Sequence, residues 1–149
     1  MLHPKIGFEL LLNENRYIEK DGERIALVGV ENWGKGFNKA GDLQLASKGV
    51  QQEDFKILLS HDPSHWRAQV LPQFKKIDAM FAGHTHGAQF GVELGNFRWS
   101  PVKMMYDEWA DLYNEGNQYL YVNRGFGYLG YPGRFGILPE ITVFELRTA

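Results

Sequence analysis

Three histidines stand where apolar segments end, and their type and spacing suit metal binding. His84 and His86 lie in "FAGHTHGAQF" after an apolar run, and His61 directly follows "KILLS". Ligands of open α/β sheets bind beyond the carboxyl ends of the strands, so two adjacent strands ending in this way would bring the histidines together. Residues i and i+2 of an extended segment point to one side. We expect His84 and His86 to face one metal ion, or each to face one of two nearby ions.

The alternative is that these are structural histidines with hydrogen-bond partners. We assign His3 and His65 to that class, because His3 lies in a terminal segment and His65 at the start of a predicted helix. The combination of His61 with the His84–His86 pair favours a metal site. The spacing does not fit a zincin, which needs His-Glu-x-x-His on a helix. It also disfavours a cupin-like site, because Phe90 and Gly91 stand where a glutamate is needed.

The composition predicts a single globular domain over residues 1–149. Hydrophobic residues make up 44% of the 149-residue chain and charged residues 23%, which is enough for a core. The formal net charge of -2 gives no electrostatic case for nucleic acid as a partner. The absence of cysteine leaves His, carboxylate and Asn side chains as metal ligands. The chain has no signal-peptide pattern and no run of about 20 apolar residues that could span a membrane.

The elements that must position the histidines are predicted from hydrophobic patterning. Strands are predicted over residues 8–14, 24–32, 55–60, 77–83, 88–94, 117–124 and 140–146. Asp21-Gly22 is predicted to form a tight turn, and Gly34 to Asn38 a loop. Helices are predicted after Asp42 as N-cap, over residues 64–74 with an interruption at Pro72, and around residues 105–112. The sum is an α/β chain of the α+β type, rich in β-strands and with few helices.

Several segments resemble a known family. "ILLSHDP" and "FAGHTHGAQ" resemble the last two motifs of the calcineurin-like metallophosphoesterases, and "YLYVNRGFG" and "GRFGILPEI" resemble the C-terminal segment of their bacterial membrane-associated phosphohydrolase branch. The resemblance runs from about Arg24 to Leu146. It implies the C-terminal half of a two-sheet β-sandwich flanked by helices, with two metals (Mn, Fe or Zn) on its loops. By position, His61 and His84 would ligate one metal and His86 the other, while a bridging hydroxide attacks phosphorus.

The chain lacks the N-terminal motifs of that family. Asp-x-His and Gly-Asn-His do not occur, and "GDLQL" at Gly41 looks like a helix cap rather than the Gly-Asp pair that carries the bridging aspartate. We therefore expect a C-terminal fragment of a longer enzyme, with no complete catalytic set and at most one metal bound. Membrane association would come only through the missing N-terminal part, so the expected location is cytoplasmic or membrane-associated.

Three functions remain open at the level of sequence. The first is part of a dinuclear phosphohydrolase acting on phosphate mono- or diesters, inactive as this chain alone. The second is a non-enzymatic module that binds metal or oligomerises. The third is a mononuclear zinc hydrolase that uses His61, His84 and His86, for which no spacing identifies a general base.

The resemblance also raises expectations about partners. Arg124 and Arg134 are candidates for contacts with a phosphoester substrate, although loop packing is the favoured role for both. Without an N-terminal half, sheet faces or strand edges would be exposed, so we expect a homo-oligomer. The expected contacts are the strands near residues 8–12 and 24–30.

Overall fold

The computed structural model describes residue 5 and residues 7–34, 40–95 and 97–147. Its strands are β1 Glu14–Lys20, β2 Glu23–Gly29, β3 Phe55–Leu59, β4 Ala79–Ala82, β5 Val92–Leu94, β6 Phe97–Trp99, β7 Asp111–Glu115 and β8 Gln118–Val122. Six of them form one sheet in the order β1-β2-β3-β4-β8-β7, and β5 and β6 form a second, two-stranded sheet. The inner strands β2, β3, β4 and β8 are parallel, and the edge strands β1 and β7 are antiparallel to their neighbours. This mixed architecture with few helices confirms the predicted α+β, β-rich fold class.

The tight turn at Asp21-Gly22 is confirmed and fixes the register of the first hairpin. Both residues have positive φ, 53° and 83°, as a two-residue hairpin turn of this kind requires. The turn sets Lys20 opposite Glu23 and Ile18 opposite Ile25. This register places Ile18 and Ile25 on the same face of the sheet.

Short helices cover one face of the sheet. The helix α1, Leu43–Ala46, begins at the predicted N-cap, where Asp42 Oδ1 accepts a hydrogen bond from the Leu45 N–H at 2.9 Å. A π-helix, Trp66–Val70, leads into α2, Leu71–Gln73. Pro72 lies in the first turn of α2, and the helical path continues through it to Gln73 instead of being interrupted.

The main core lies between these helices and the sheet. Its buried members are Val28, Leu43, Ala46, Leu58, Trp66, Val70, Ile77, Met80, Ala82, Leu120 and Val122. Burial of each large side chain stabilises the fold by about 1.5–3 kcal/mol. This core fixes the ends of β3 and β4, which carry His61 and His84.

The strand predicted over residues 8–14 is wrong. Residues 8–11 have no regular structure, Phe8 is 68% exposed, and the first strand begins at Glu14. Leu11 packs over Gly29, at a position where a Cβ on the glycine would collide with it. The Asp21-Gly22 turn sets the pairing of β1 with β2, and the apolar run before Glu14 lies outside that pairing.

The helix predicted around residues 105–112 is also wrong. A 3-10 helix occupies Pro101–Met104, capped by Ser100, whose Oγ accepts from the Val102 N–H. Residues 111–115 form β7, which pairs antiparallel with β8 through a turn at Gly116, where φ is +62°. Residues 105–110 of the predicted helix form a loop, and only residues 111–112 enter the strand.

The closing strand predicted over residues 140–146 is not paired with any described strand. This C-terminal segment lies across the sheet face opposite the helices, and the ring of Phe144 stacks on Phe81 at 4.4 Å. Its side chains do alternate between the sheet and solvent: Thr142 contacts Tyr121, while Ile141 and Val143 are 81% and 90% exposed. The pattern predicted the two sides of the segment but not its hydrogen bonding.

The rest of that sheet face is open. A cavity of about 550 Å³ is lined by Ile18, Ile25, Phe55 and Leu146 among others, and a second of about 530 Å³ by Leu10, Leu11, Leu27 and Leu59. The predicted contact segment at residues 24–30 is mostly β2, which is paired on both edges and offers only this face. Among the described residues, no helix is long and apolar enough to cross a membrane.

Candidate metal centre

Two adjacent parallel strands bring His61 and His84 together, as the sequence predicted. Hydrogen bonding continues past the strand ends, from the Ser60 N–H to Phe81 O at 3.1 Å and from the Gly83 N–H to His61 O at 3.0 Å. The His61 Nε2 and His84 Nδ1 atoms lie 2.9 Å apart, and the rings meet edge to face with centroids 4.8 Å apart. Two imidazole nitrogens thus converge on one point beyond the sheet.

The segment that carries His84 and His86 is a tight turn, so the i, i+2 alignment of an extended segment does not set the directions of the two rings. Thr85 has helical φ and ψ, while His84 and His86 have φ of 69° and 49°. Positive φ continues through Gly87 to Gln89 within the 3-10 segment His86–Gln89, so the strand predicted over residues 88–94 is reduced to β5. Left-handed backbone in non-glycine residues is strained and concentrates at functional loops.

His86 lies near the histidine pair without a hydrogen bond from its Nδ1 atom to either member. Its Nδ1 atom is buried and has no hydrogen-bond partner among the described residues. The ring is nevertheless close enough that His86 lowers the pKa of His61 and His84 lowers the pKa of His86. The three predicted ligands therefore lie in one neighbourhood, with two of them in direct contact.

The electrostatics keep His61 and His86 neutral near pH 7. Partial desolvation is the main cause of the lowered pKa of His61, and the neighbouring His84 adds to it. Desolvation is also the first cause for His86, followed by the positive charge of Arg134. A neutral imidazole with an open lone pair is the form that binds a metal ion.

The donor chemistry of the pair fits a divalent metal, and His86 offers a further nitrogen that is buried and unpaired. A cation between His61 Nε2 and His84 Nδ1 would replace the proton that now links the rings. However, no group of three or more His, Asp or Glu side chains arranged to hold a metal ion occurs among residues 7–34, 40–95 and 97–147. The described residues thus supply a pair of ligands rather than a closed coordination shell.

Two further residues belong to the site, and sequence patterns missed one of them. The His84 Nε2 atom lies 2.8 Å from the hydroxyl of Tyr106, which no motif or spacing in the sequence singles out. Asp62, the residue after His61, is buried, and its Oδ1 accepts from the Ser64 N–H at 2.8 Å. Its charge acts to raise the pKa of His61, partly opposing desolvation.

His65 has the structural role that the sequence suggested. It is fully buried, and its ring stacks on Trp33 with centroids 4.3 Å apart. Its Nδ1 lies 2.9 Å from Ser60 Oγ and its Nε2 lies 2.8 Å from Gln69 Oε1. His3 and residues 35–38 of the predicted loop lie outside the described residues.

The two candidate arginines are engaged within the chain. Arg124 is mostly buried and pairs with Glu140, Nε to Oε2 at 2.6 Å, and with Glu93. Arg134 donates to backbone carbonyls, including those of Arg124 at 2.8 Å and His86 at 3.4 Å. The contact of Arg134 with His86 O supports the histidine turn. A role for either arginine in substrate binding remains a prediction.

Comparison with known proteins places the chain among metallophosphoesterases. It is 37% identical over 95 residues to an uncharacterized metallophosphoesterase of Bacillus subtilis (strain 168), covering 63% of this chain and 32% of that protein. It is 30% identical over 162 residues to a transmembrane protein with metallophosphoesterase domain of Danio rerio, covering 100% of this chain and 34% of that protein. An uncharacterized metallophosphoesterase of Helicobacter pylori (strain J99) is 34% identical over 109 residues, 72% of this chain and 27% of that protein.

The chain spans about a third of the length of the curated relatives it matches. No family model matches it. No solved structure matches it either. The agreement among several relatives carrying the same family name, together with the histidine motifs, shows that this chain belongs to the calcineurin-like metallophosphoesterase superfamily.

Proposed function

We propose that this chain supplies the histidine side of the metal centre of a phosphoester hydrolase. The observation that carries the proposal is the convergence of His61 Nε2 and His84 Nδ1, 2.9 Å apart beyond the ends of β3 and β4. The relatives named metallophosphoesterases support the reaction class. The substrate would be a phosphate mono- or diester.

The residues would divide the work as the family resemblance implies. His61 and His84 would hold one divalent metal, and His86 would serve a second. Bound metals (Mn, Fe or Zn) would supply positive charge to phosphoryl oxygens and activate a water molecule. The chain's own contribution is to keep His61 and His86 neutral and to hold the turn rigid, through Thr85 and Arg134.

The described residues would hold at most one divalent ion tightly. Neutral imidazoles add no negative charge, so they cannot offset the repulsion between two close cations. The buried Asp62 carboxylate accepts a backbone hydrogen bond and lies against Gly34, where an added Cβ would collide with it. It therefore stands in contact with the protein rather than open to a second ion.

Equilibrium dialysis against Zn²⁺, followed by metal analysis, tests this proposal. We expect the chain to retain up to one equivalent, and the His61→Ala and His84→Ala variants to lose it. Leu45→Ala is the matched control, since Leu45 is exposed on α1 and lies outside the core cluster. Failure to retain Zn²⁺ at micromolar concentration, or retention that neither histidine variant changes, would refute the proposed metal site.

A further inference from the structure

Tyr106 contacts the ring atom of His84 that faces away from His61. The Tyr106 hydroxyl lies 2.8 Å from His84 Nε2, and the two rings meet edge to face with centroids 5.5 Å apart. His84 thus has a partner at each ring nitrogen, His61 at Nδ1 and Tyr106 at Nε2. Its protonation pattern is set from both sides.

The position of Tyr106 is fixed by a small second core. The ring packs against a buried cluster of Val102, Trp109, Ala110 and Ile137, and the Tyr106 N–H donates to Val102 O at 2.9 Å. This packing holds the tyrosine ring in place beside His84. Its hydroxyl is therefore not a chance surface contact.

Two buried hydrogen bonds fasten the tyrosine segment to the histidine turn. The Thr85 hydroxyl donates to Trp109 O at 2.8 Å, and the Ser100 hydroxyl donates to Gly87 O at 2.8 Å. In one segment the bonded residues directly follow His84, and in the other they stand on either side of Tyr106. The contact between the two side chains is thus part of the framework of the turn.

A neutral imidazole has one ring proton, so in that form the hydrogen bonds of His84 at Nδ1 and Nε2 are coupled. If Nε2 carries the proton and donates to the Tyr106 oxygen, Nδ1 presents a lone pair towards His61. If Tyr106 donates instead, Nδ1 carries the proton and cannot bind a metal.

We propose that Tyr106 is a positioning residue that accepts the His84 Nε2–H and thereby presents His84 Nδ1 as a metal ligand. The proposal rests on the proposed function for its metal, but the protonation pattern belongs to the chain itself. The reason is partial desolvation: an Nε2–H turned into this half-buried site without an acceptor would lack a hydrogen-bond partner. Partners of this kind behind metal-bound histidines fix the tautomer and the ring orientation.

The test combines histidine-ring ¹⁵N NMR of the metal-free chain with Zn²⁺ affinity by competition dialysis. We expect the wild-type His84 to carry its proton on Nε2. In Tyr106→Phe this population should shift towards Nδ1, and Zn²⁺ affinity should fall about 10- to 100-fold. Tyr119→Phe is the matched control, because Tyr119 is on β8 and 46% exposed; it should leave both measurements unchanged.

The outcomes separate this inference from the proposed function. Zn²⁺ binding that needs His84 but is equal in Tyr106→Phe and Tyr119→Phe, with an unchanged tautomer, overturns the role of Tyr106 alone. A chain that takes up no Zn²⁺ but shows the Tyr106-dependent tautomer overturns the metal site alone. If Tyr106→Phe does not fold, the wild-type spectrum decides, since a proton on His84 Nδ1 contradicts the inference.

Discussion

The Glu140 carboxylate lies against Arg124, with Arg124 Nε donating to Glu140 Oε2 at 2.6 Å. Both side chains are nearly buried, 11% and 13% exposed, and the Tyr121 and Thr142 hydroxyls also donate to the carboxylate. Burial alone would raise the pKa of Glu140, but the hydrogen bonds from Tyr121, Thr142 and Arg124 outweigh it and lower the pKa to about 2. The cluster joins the C-terminal segment, through Glu140 and Thr142, to Tyr121 on β8 and to Arg124, which follows β8.

We predict that Glu140→Gln destabilises the chain in a pH-dependent way. Because the folded-state pKa is below the ordinary value of 4.5, the stabilisation is present above about pH 4.5 and is lost as the pH falls towards 2. The wild type should exceed the variant by on the order of 3 kcal/mol at neutral pH, and the difference should shrink in acid. Urea unfolding at several pH values measures it.

Glu145→Gln is the control for this charge change. Glu145 pairs with Arg147 at 2.7 Å, but both side chains are at least 70% exposed, so removing its charge should change the unfolding free energy little. Equal effects of the two substitutions at every pH would contradict the role given to the Glu140 cluster.

A second prediction concerns the backbone of the histidine turn. Gly87 has φ of +57°, and a Cβ there would lie 2.9 Å from Ile137 Cγ2, a fully buried side chain. Gly87→Ala should therefore destabilise the chain by roughly 1–3 kcal/mol through overpacking, in addition to the left-handed backbone strain. Gly116→Ala is the control that carries the backbone strain alone, because Gly116 has φ of +62° and a Cβ added there would meet no atom within 4 Å. The difference between the two variants is the steric cost at Ile137. Urea midpoints that shift equally would show that the Ile137 contact does not matter.

A third prediction is that these 149 residues alone do not hydrolyse p-nitrophenyl phosphate or bis-p-nitrophenyl phosphate with Mn²⁺ or Zn²⁺ added. The sequence contains neither Asp-x-His nor Gly-Asn-His, and no group of three potential ligands is arranged for a metal among the described residues. A two-metal reaction needs carboxylate charge between the ions. Steady-state turnover above that of a His86→Ala variant would show that the chain is catalytically sufficient.

The candidate ligands were predictable because they depend on strand ends. Apolar runs before His61 and His84 locate β3 and β4, and parallel pairing then brings the histidines together. Tyr106 was not predictable, since its contact with His84 joins residues 22 positions apart through a small second core. The sequence left open whether His86 faces the same ion as His84, because its turn uses left-handed backbone at non-glycine residues, which sequence patterns do not signal.

The errors in the fold have related causes. The helix predicted around residues 105–112 falls mostly on a loop, and its last two residues are paired with β8 in the sheet. Residues 140–146 alternate as a strand does, yet their contacts are made with side chains on the sheet face. Periodicity reports which side of a segment is covered, not whether its backbone is paired.

The last prediction concerns self-association, and we propose a second copy of this chain as the partner. The sheet face opposite the helices exposes Ile18, Phe55 and Leu59 beside two cavities of about 550 and 530 Å³. Covering such apolar surface is favourable by roughly 25 cal/mol per Å². The rim carries both signs of charge, including Arg16, Lys20 and Arg24 and the acidic Glu9, Asp21 and Glu23, so two copies can match opposite charges.

Light scattering coupled to size exclusion at micromolar concentration measures this association. We expect a mass of at least twice the 17.1 kDa of one chain. Ile18→Lys should shift the chain towards the monomer, because Ile18 lines both cavities of the open face. Met104→Lys introduces the same charge at a residue that is 89% exposed on the Pro101–Met104 helix, away from that face, and should not. A wild type that elutes as a stable 17.1 kDa species and binds no hydrophobic dye would mean that the C-terminal segment and residues 8–12 cover this face well enough without a partner.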